Sequence, residues 1–249
     1  MKIEETALLA LKSMDLTSLG DGDTIESTVE LCRRASTPYG DCAAVCIWPR
    51  FIPYASSVLK DNIPIATVVN FPHGGDSVEI VRAETEASVA YGADEIDLVF
   101  PYRALMEGDE SIGRRIVEEC RAVCGDDKVL KVIVESGMLG ERSLIERASI
   151  ISIEAGADFI KTSTGKVEVN ATPEAARIML ETIARSGEDV GFKAAGGIRD
   201  IESASIYIEL AREIMGEEWI DRDHLRLGAS SLLDDLLSIL SDGYERRGS

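Results

Sequence analysis

The stretch Gly-Ala-Asp-Phe-Ile-Lys-Thr-Ser-Thr at residues 156–164 contains a helix-ending glycine, a short turn and an apolar, strand-like run. The same Gly-Ala-Asp joint occurs at residues 92–94, before the run Glu-Ile-Asp-Leu-Val-Phe. A glycine that ends a helix, followed by a turn and a strand, is typical of the connections in αβ units. The repeated joint therefore predicts a fold of alternating helices and strands.

This alternation continues along the chain. Helical patterns with apolar residues three to four positions apart separate the strand candidates, as in SVEIVRAETEASVAYGA and TPEAARIMLETIARSG. Strands such as IPIATVVN are apolar almost throughout, which is typical of parallel strands buried on both faces. We predict eight strands, at Met14–Leu19, Ala43–Trp48, Ile65–Asn70, Glu95–Phe100, Leu130–Glu135, Asp158–Thr164, Val190–Ala195 and Leu225–Ala229.

The length of 249 residues fits one (β/α)8 barrel, usually about 250 residues, as well as it fits two small domains. No low-complexity linker or change in composition divides the chain, so we expect a single α/β domain over residues 1–249, a TIM barrel. An amphipathic segment before the first strand, Ile3–Ser13, predicts an extra N-terminal helix that closes one end of the barrel.

Three lysines lie in strand-like runs about one repeat apart: Lys131, Lys161 and Lys193. One strand–helix repeat takes roughly 30 residues, so we expect these amines on three neighbouring strands. Neighbouring strands lie about 4.8 Å apart, and two ammonium groups at that range make it costly to charge either one. One amine is then expected to have a lowered pKa and to attack a carbonyl as a Schiff-base nucleophile. A single strand lysine more commonly reaches solvent or pairs with an acid, but three in register favour chemistry.

Glycines and cations follow the last three predicted strands. Glycines let backbone amides approach an anion closely, and barrels of this class often bind phosphate after strands seven and eight. Ordinary turn glycines and a helix-capping serine pair would explain any one of these loops, whereas their clustering favours a phosphate site. The candidates are Gly165, Lys166, Gly196, Gly197, Arg199, Gly228, Ser230 and Ser231.

The net charge of −19 argues against a generic nucleic-acid or anionic-membrane surface, because the long-range field repels both. No apolar run is long enough for a membrane span, and MKIEETALLALKSM has acids where a signal peptide has basic residues, so we expect a cytoplasmic protein. The five cysteines are expected to be free thiols. Two histidines are too few for a histidine-rich zinc ligand set, and we expect no metal site.

Long contiguous motifs run between about Leu8 and Leu240: DLTSL, CIWPRFIP, VVNFPHG, GADEIDLVFPYRALMEGD, LKVIVESG, GADFIKTSTGKVEVNATPEAARIM, GFKAAGGIR and LGASSLL. Together they resemble those of the 2-deoxyribose-5-phosphate aldolase family. The resemblance implies a class I aldolase that needs no metal or other cofactor and forms homo-oligomers, dimers or tetramers. It also implies the reaction, the reversible cleavage of 2-deoxy-D-ribose 5-phosphate into acetaldehyde and D-glyceraldehyde 3-phosphate in deoxyribonucleoside catabolism.

On the matching positions, the resemblance implies that Lys161 is the Schiff-base nucleophile and Lys193 the cation that depresses its pKa. Asp97 would transfer protons together with Lys193 and a water, and Lys131 would orient and polarise this network. The glycine-loop candidates match the phosphate-binding positions. Two alternatives stay open: a Schiff-base aldolase for another sugar phosphate, and a non-catalytic sugar-phosphate-binding barrel.

Three further residues bear on the site. Ala194 follows the second lysine where the family commonly has proline, and Tyr244 precedes Glu-Arg-Arg-Gly-Ser where longer members end in an active-site tyrosine. Cys46 either faces the barrel interior near the lysines, as an exposed target for aldehydes, or is a small core thiol, which is the commoner role.

Overall fold

A computed structural model describes residues 2–248, with side chains up to Gly243, so the side chain of Tyr244 lies outside the described part. In this part, eight parallel strands close into a barrel in which each strand pairs with its neighbours in sequence, and the last pairs with the first. The strands are β1 (Met14–Ser18), β2 (Ala44–Ile47), β3 (Ile65–Val69), β4 (Glu95–Val99), β5 (Val129–Ile133), β6 (Phe159–Lys161), β7 (Gly191–Ala195) and β8 (Leu225–Ala229).

Helices surround the barrel, and a short antiparallel hairpin of Ser36–Thr37 and Gly40–Asp41 lies between the first two strands in sequence. Among residues 2–248, no helix is both long and apolar enough to cross a membrane. The helices are α1 (Ile3–Lys12), α2 (Ile25–Arg34), α3 (Ile52–Ala55), α4 (Val78–Tyr91), α5 (Tyr102–Met106), α6 (Glu110–Cys124), α7 (Ser136–Leu139), α8 (Arg142–Glu154), α9 (Pro173–Ser186), α10 (Ile201–Met215) and α11 (Leu232–Gly248).

The predicted (β/α)8 barrel is confirmed, and most strand ends differ from the prediction by one or two residues. The sixth strand is the exception, because it ends at Lys161 and not at Thr164. Beyond Lys161, side chains add to the backbone hydrogen bonds: Thr162 Oγ1 accepts from the Ala195 amide at 3.0 Å, and Thr164 Oγ1 donates to Glu135 Oε2 at 2.6 Å. These threonines therefore connect the loops around the barrel mouth.

The two Gly-Ala-Asp joints perform the same structural task. Gly92 and Gly156 end their helices with φ angles of 103° and 97°, a region that favours glycine. The carboxylate of Asp94 accepts from the amide of Ile65 at 3.0 Å, and that of Asp158 accepts from the amide of Leu130 at 2.7 Å. Each joint thus ties the start of one strand to the start of the preceding strand.

The predicted N-terminal helix is present as α1. It packs mainly against α10, α11 and the hairpin, and it buries Ala7, Ala10 and Leu11. The hairpin precedes β2, and one residue separates Lys12 from β1, so α1 lies beside the segments that enter the first two strands. That it closes this end of the barrel stays a prediction.

Pairs of arginine and glutamate link successive outer helices from α4 to α10. The side chains are exposed or partly exposed, and such pairs each contribute little to the free energy of folding. Each pair places one glutamate beside one arginine on the surface of the barrel. The pairs are Arg82 with Glu119, Glu110 with Arg147, Arg142 with Glu181 and Arg177 with Glu213.

Alternate residues of each strand point into the barrel, as expected for a closed sheet. The interior is divided: β2, β3 and the residue that follows β1 contribute a small apolar cluster, while charged side chains come from β4 to β8 and from the start of β1. The apolar members are Leu19, Ala44, Cys46, Ala66 and Val68, and the charged members are Asp15, Glu95, Asp97, Lys131, Lys161, Lys193 and Arg226.

Candidate active site

Lys161, Lys193 and Asp97 meet inside the barrel. The two lysines are register partners on the neighbouring strands β6 and β7, and Asp97 reaches them from β4. Asp97 Oδ2 accepts hydrogen bonds from Lys161 Nζ at 2.7 Å and from Lys193 Nζ at 2.8 Å. One carboxylate oxygen is thus shared by the two amines that we expected to lie close together.

Lys131 binds the other oxygen of the Asp97 carboxylate. Its Nζ donates to Asp97 Oδ1 at 2.9 Å and also to Glu95, one inward position earlier on β4. Asp97 therefore accepts from all three lysines that the sequence singled out. This geometry places Lys131 where it orients Asp97, and no described contact joins it to Lys161 directly.

A deeper charged layer supports this centre, and the sequence did not lead us to it. Arg226 Nη1 donates to Asp15 Oδ1 at 2.6 Å, and Arg226 Nη2 donates to Glu95 Oε1 at 2.9 Å. Asp15 in turn accepts from Lys193. The sequence analysis missed Glu95 and Arg226, although Glu95 lies two positions before Asp97 and Arg226 two positions before Gly228.

Burial lowers the pKa of Lys161, because the charged amine is removed from water. The Asp97 carboxylate opposes this effect, and the Lys193 ammonium adds to it. Burial acts in the same direction on Lys193, but the carboxylates of Asp15 and Asp97 outweigh it and raise the pKa of that amine. Burial is likewise outweighed at Lys131, where Asp97 and Glu95 raise the pKa. Lys161 is thus the only one of the three lysines whose pKa is lowered.

The neighbouring cations lower the pKa values of Asp97 and Asp15. Burial alone would raise the pKa of Asp97, but the ammonium groups of Lys131, Lys161 and Lys193 hold it well below its usual range. Asp15 is also held below its usual pKa, against the effect of burial, by Lys193 and Arg226. Both carboxylates are therefore ionised at neutral pH.

A cavity of about 350 Å³ opens at the carboxyl ends of the strands, and Lys161 forms part of its wall. All eight residues that we selected as phosphate candidates line it: Gly165, Lys166, Gly196, Gly197, Arg199, Gly228, Ser230 and Ser231.

The loops after β6 and β7 contain glycines with positive φ angles. Gly165, Gly196 and Gly197 have φ angles of 81°, 89° and 87°, and a Cβ on Gly196 would lie 2.6 Å from the Cβ of Asn170. Successive amides in such conformations can form an anion-binding concavity. Lys166 Nζ donates to the backbone oxygen of Leu19 at 2.6 Å, which brings a cation to the rim of the cavity.

Cys46 faces the interior, with its sulfur 4.0 Å from Asp97 Oδ2, but it is fully buried. Burial raises the pKa of this thiol, so it is a weak nucleophile at neutral pH. The structure therefore favours the role of a small core thiol over that of an exposed target.

His73 lies in a loop, where its backbone oxygen accepts a hydrogen bond from Arg103 at 2.5 Å.

A family model described as DeoC/LacD family aldolase matches residues 9–237. The chain belongs to this family. As a DeoC/LacD aldolase it is a carbon–carbon lyase, which decides against the non-catalytic sugar-phosphate-binding alternative.

Solved structures similar to this DeoC/LacD aldolase cover nearly its whole length. A protein of Toxoplasma gondii ME49, provisionally named deoxyribose-phosphate aldolase, is 25% identical with a TM-score of 0.86, covering 96% of this chain and 95% of its own. A provisionally named deoxyribose-phosphate aldolase of Coccidioides immitis is 27% identical with a TM-score of 0.82, covering 94% and 86%. The tetrameric deoxyribose phosphate aldolase of Aeropyrum pernix is 25% identical with a TM-score of 0.76, covering 96% and 97%.

Proposed function

We propose that this aldolase cleaves 2-deoxy-D-ribose 5-phosphate reversibly into acetaldehyde and D-glyceraldehyde 3-phosphate, through a Schiff base on Lys161. One observation carries the proposal: the only lysine of the buried network with a lowered pKa also lines the cavity that the glycine loops enclose. The names of the similar proteins from T. gondii, C. immitis and A. pernix support the choice of substrate.

The reaction begins with the neutral amine of Lys161, which attacks the C1 aldehyde of the open-chain sugar; loss of water then gives a protonated imine. Removal of the proton from the C3 hydroxyl sends the electrons of the C2–C3 bond into the imine, so that an enamine forms and glyceraldehyde 3-phosphate leaves. Protonation of the enamine at C2 and hydrolysis of the imine release acetaldehyde and restore Lys161.

Asp97 and Lys193 supply the proton transfers in this proposal. Asp97 Oδ2 accepts from both Lys161 and Lys193, so the acceptor and the donor lie next to the reacting nitrogen. A water carries the proton between this pair and the substrate, at the C3 oxygen in the cleavage step and at C2 in the protonation step. Lys131 keeps Asp97 oriented through its second oxygen.

The glycine loops hold the phosphate group in this proposal. Backbone amides around Gly196 and Gly197 would bind its oxygens, the serine pair would donate hydroxyl groups, and Lys166 and Arg199 would add positive charge. These two cations matter because the net charge of −19 repels an anion at long range. A homo-oligomer, dimer or tetramer, is part of the proposal and is supported by the tetrameric A. pernix structure.

Borohydride reduction in the presence of 2-deoxyribose 5-phosphate is expected to place a stable adduct on the peptide that contains Lys161. The neutral amine forms the imine and hydride reduction makes it irreversible, so mass spectrometry of the digest locates the modified lysine. Lys161→Ala is expected to lose the adduct, whereas Lys12→Ala, which removes an exposed lysine, is expected to keep it.

The same assay with ribose 5-phosphate and with fructose 1,6-bisphosphate tests the alternative substrate class. Adduct formation is expected to be fastest with the deoxy sugar. An adduct that persists in Lys161→Ala would contradict the mechanism, and equal or faster labelling by either of the other sugars would contradict the substrate.

Gly196→Ala is expected to lower kcat/KM for 2-deoxyribose 5-phosphate by roughly 10- to 100-fold, the effect of losing a charge-assisted hydrogen bond. The added Cβ meets Asn170 and the φ angle of 89° strains any other residue, so the loop has to move. Steady-state kinetics with the phosphorylated and the unphosphorylated sugar provide the measurement. An equal loss with both sugars would show that this loop does not bind the phosphate.

A further inference from the structure

The charged layer below the reactive amine contains two residues that have no place in the proposed chemical steps. Arg226 and Glu95 are each only 2% exposed, and neither lines the cavity. They bind one another through two hydrogen bonds, from Nη2 at 2.9 Å and from Nη1 at 3.2 Å. Burying charges costs free energy, so we expect an ion pair at this depth to have a function.

The formal charges of the network do not balance when every group is ionised. Four cations, Lys131, Lys161, Lys193 and Arg226, face three carboxylates, Asp15, Glu95 and Asp97. The network becomes neutral when one amine gives up its proton. Lys161 has the fewest carboxylate partners, because it bonds to Asp97 alone.

Arg226 cannot be the group that yields the proton, because a guanidinium remains charged at any pH relevant to proteins. Arg226 is linked to Lys161 through carboxylates that each accept hydrogen bonds from two cations. Arg226 and Lys193 share Asp15, and Lys193 and Lys161 share Asp97. Glu95 completes a second route, since it accepts from Arg226 and from Lys131, which also holds Asp97.

We propose that Arg226 and Glu95 are positioning residues whose opposite charges set the protonation state of Lys161, and with it the pH range of imine formation. This inference rests on the proposed function of Lys161 as the nucleophile. Arg226 favours the neutral, reactive amine, and Glu95 favours the ammonium ion.

Other charged or titratable groups also face this region. Glu135 and Cys46 lie outside the seven-membered network; the carboxylate of Glu135 is bound to Thr164, Cys46 lies against Asp97, and burial raises the pKa of both groups. The variants below leave Glu135 and Cys46 unchanged. By element, the groups around Lys161 are Asp15 from β1, Cys46 from β2, Glu95 and Asp97 from β4, Lys131 and the following Glu135 from β5, Lys193 from β7 and Arg226 from β8.

The test measures the pH dependence of imine trapping by acetaldehyde and cyanoborohydride, quantified by mass spectrometry on the digest peptide that contains Lys161, in Arg226→Gln, Glu95→Gln and the double variant. Arg226 and Lys161 lie two strands apart, about 10 Å at the usual strand spacing. One charge at that distance shifts the titration midpoint by about one pH unit in a medium of effective dielectric constant about 20. We expect Arg226→Gln to move the midpoint up, Glu95→Gln to move it down, and the double variant to lie near the parent protein.

Arg226→Lys keeps the charge and is expected to keep the midpoint, even if it lowers stability. Arg33→Gln, at an exposed position on α2, controls for the loss of an arginine elsewhere. Shifts of opposite sign separate an electrostatic role from structural damage, which would reduce trapping at every pH.

If the parent protein forms an adduct on Lys161 but Arg226→Gln and Glu95→Gln leave the midpoint unchanged, or move it the same way, the inference is wrong and the proposed function stands. If the parent protein forms no adduct on Lys161, the proposed function and the inference fail together.

Discussion

Asp97→Asn is expected to lower kcat by about 10²- to 10⁴-fold, the usual contribution of a positioned general acid or base. The substitution preserves the size of the side chain but removes the charge that all three buried lysines share. The nucleophile itself is not the reason for the loss, because removal of the carboxylate lowers the pKa of Lys161 further and leaves more neutral amine. The deficit lies in proton transfer to and from the substrate.

The same substitution is expected to lower the free energy of unfolding by roughly 3–5 kcal/mol, the cost of removing one partner from a buried ion pair. The amines must be charged for this cost to apply, so the difference from the parent protein is largest near neutral pH and shrinks as pH rises towards the ordinary lysine pKa of about 10.4. Urea unfolding at two pH values and steady-state kinetics measure the two effects. Asp61→Asn, at an exposed position, is the control, and unchanged kcat in Asp97→Asn would exclude Asp97 from proton transfer.

Lys193→Leu is expected to reduce turnover at pH 7 by more than about 10³-fold, because it combines lost proton transfer with a change in Lys161. Without Lys193, the carboxylate of Asp97 has only Lys131 and Lys161 as partners, and the three remaining cations balance the three carboxylates. The pKa of Lys161 then rises, and the fraction of neutral amine at pH 7 falls. A unit charge about 5 Å away accounts for a shift of about two pH units at an effective dielectric constant near 20.

The pH profile of kcat/KM checks this expectation. In the parent protein, activity rises with pH through the pKa of Lys161, and in Lys193→Leu that rise is expected at higher pH with a lower plateau. Lys193→Arg keeps the positive charge and is expected to keep the position of the rise while losing the geometry for proton transfer. A Lys193→Leu profile that rises at the parent pH would show that Lys193 does not control the protonation of Lys161.

The barrel was predictable because its strands follow one another at regular intervals with buried, apolar sequences, and because closure by neighbouring strands follows from chain order. The three lysines were predictable for the same reason, since equal spacing places them on successive strands. Their hydrogen-bond partners were not. The position of Asp97 Oδ2 between Lys161 and Lys193 depends on the reach of side chains across the barrel, which strand spacing does not specify.

Arg226 and Glu95 show why part of the site escaped prediction. Each lies near the beginning of a strand, Glu95 at the first residue of β4 and Arg226 at the second of β8, where a charged residue usually faces solvent. The available signal was the two-residue period of a strand, since Glu95 shares a face with Asp97, and Arg226 with Gly228. That period identifies the face but not the partner, so the contact between Glu95 and Arg226 required the closed barrel.

The division of the barrel interior has a consequence for protein engineering. The apolar cluster of Leu19, Ala44, Cys46, Ala66 and Val68 borders the charged network, and the sulfur of Cys46 lies 4.0 Å from Asp97 Oδ2. Side chains on this wall can be exchanged for smaller or larger apolar ones without adding or removing a charge near Lys161. The packing of this apolar wall and the charges around Lys161 are therefore separate design variables, and a library confined to these five positions would change the former while leaving the latter intact.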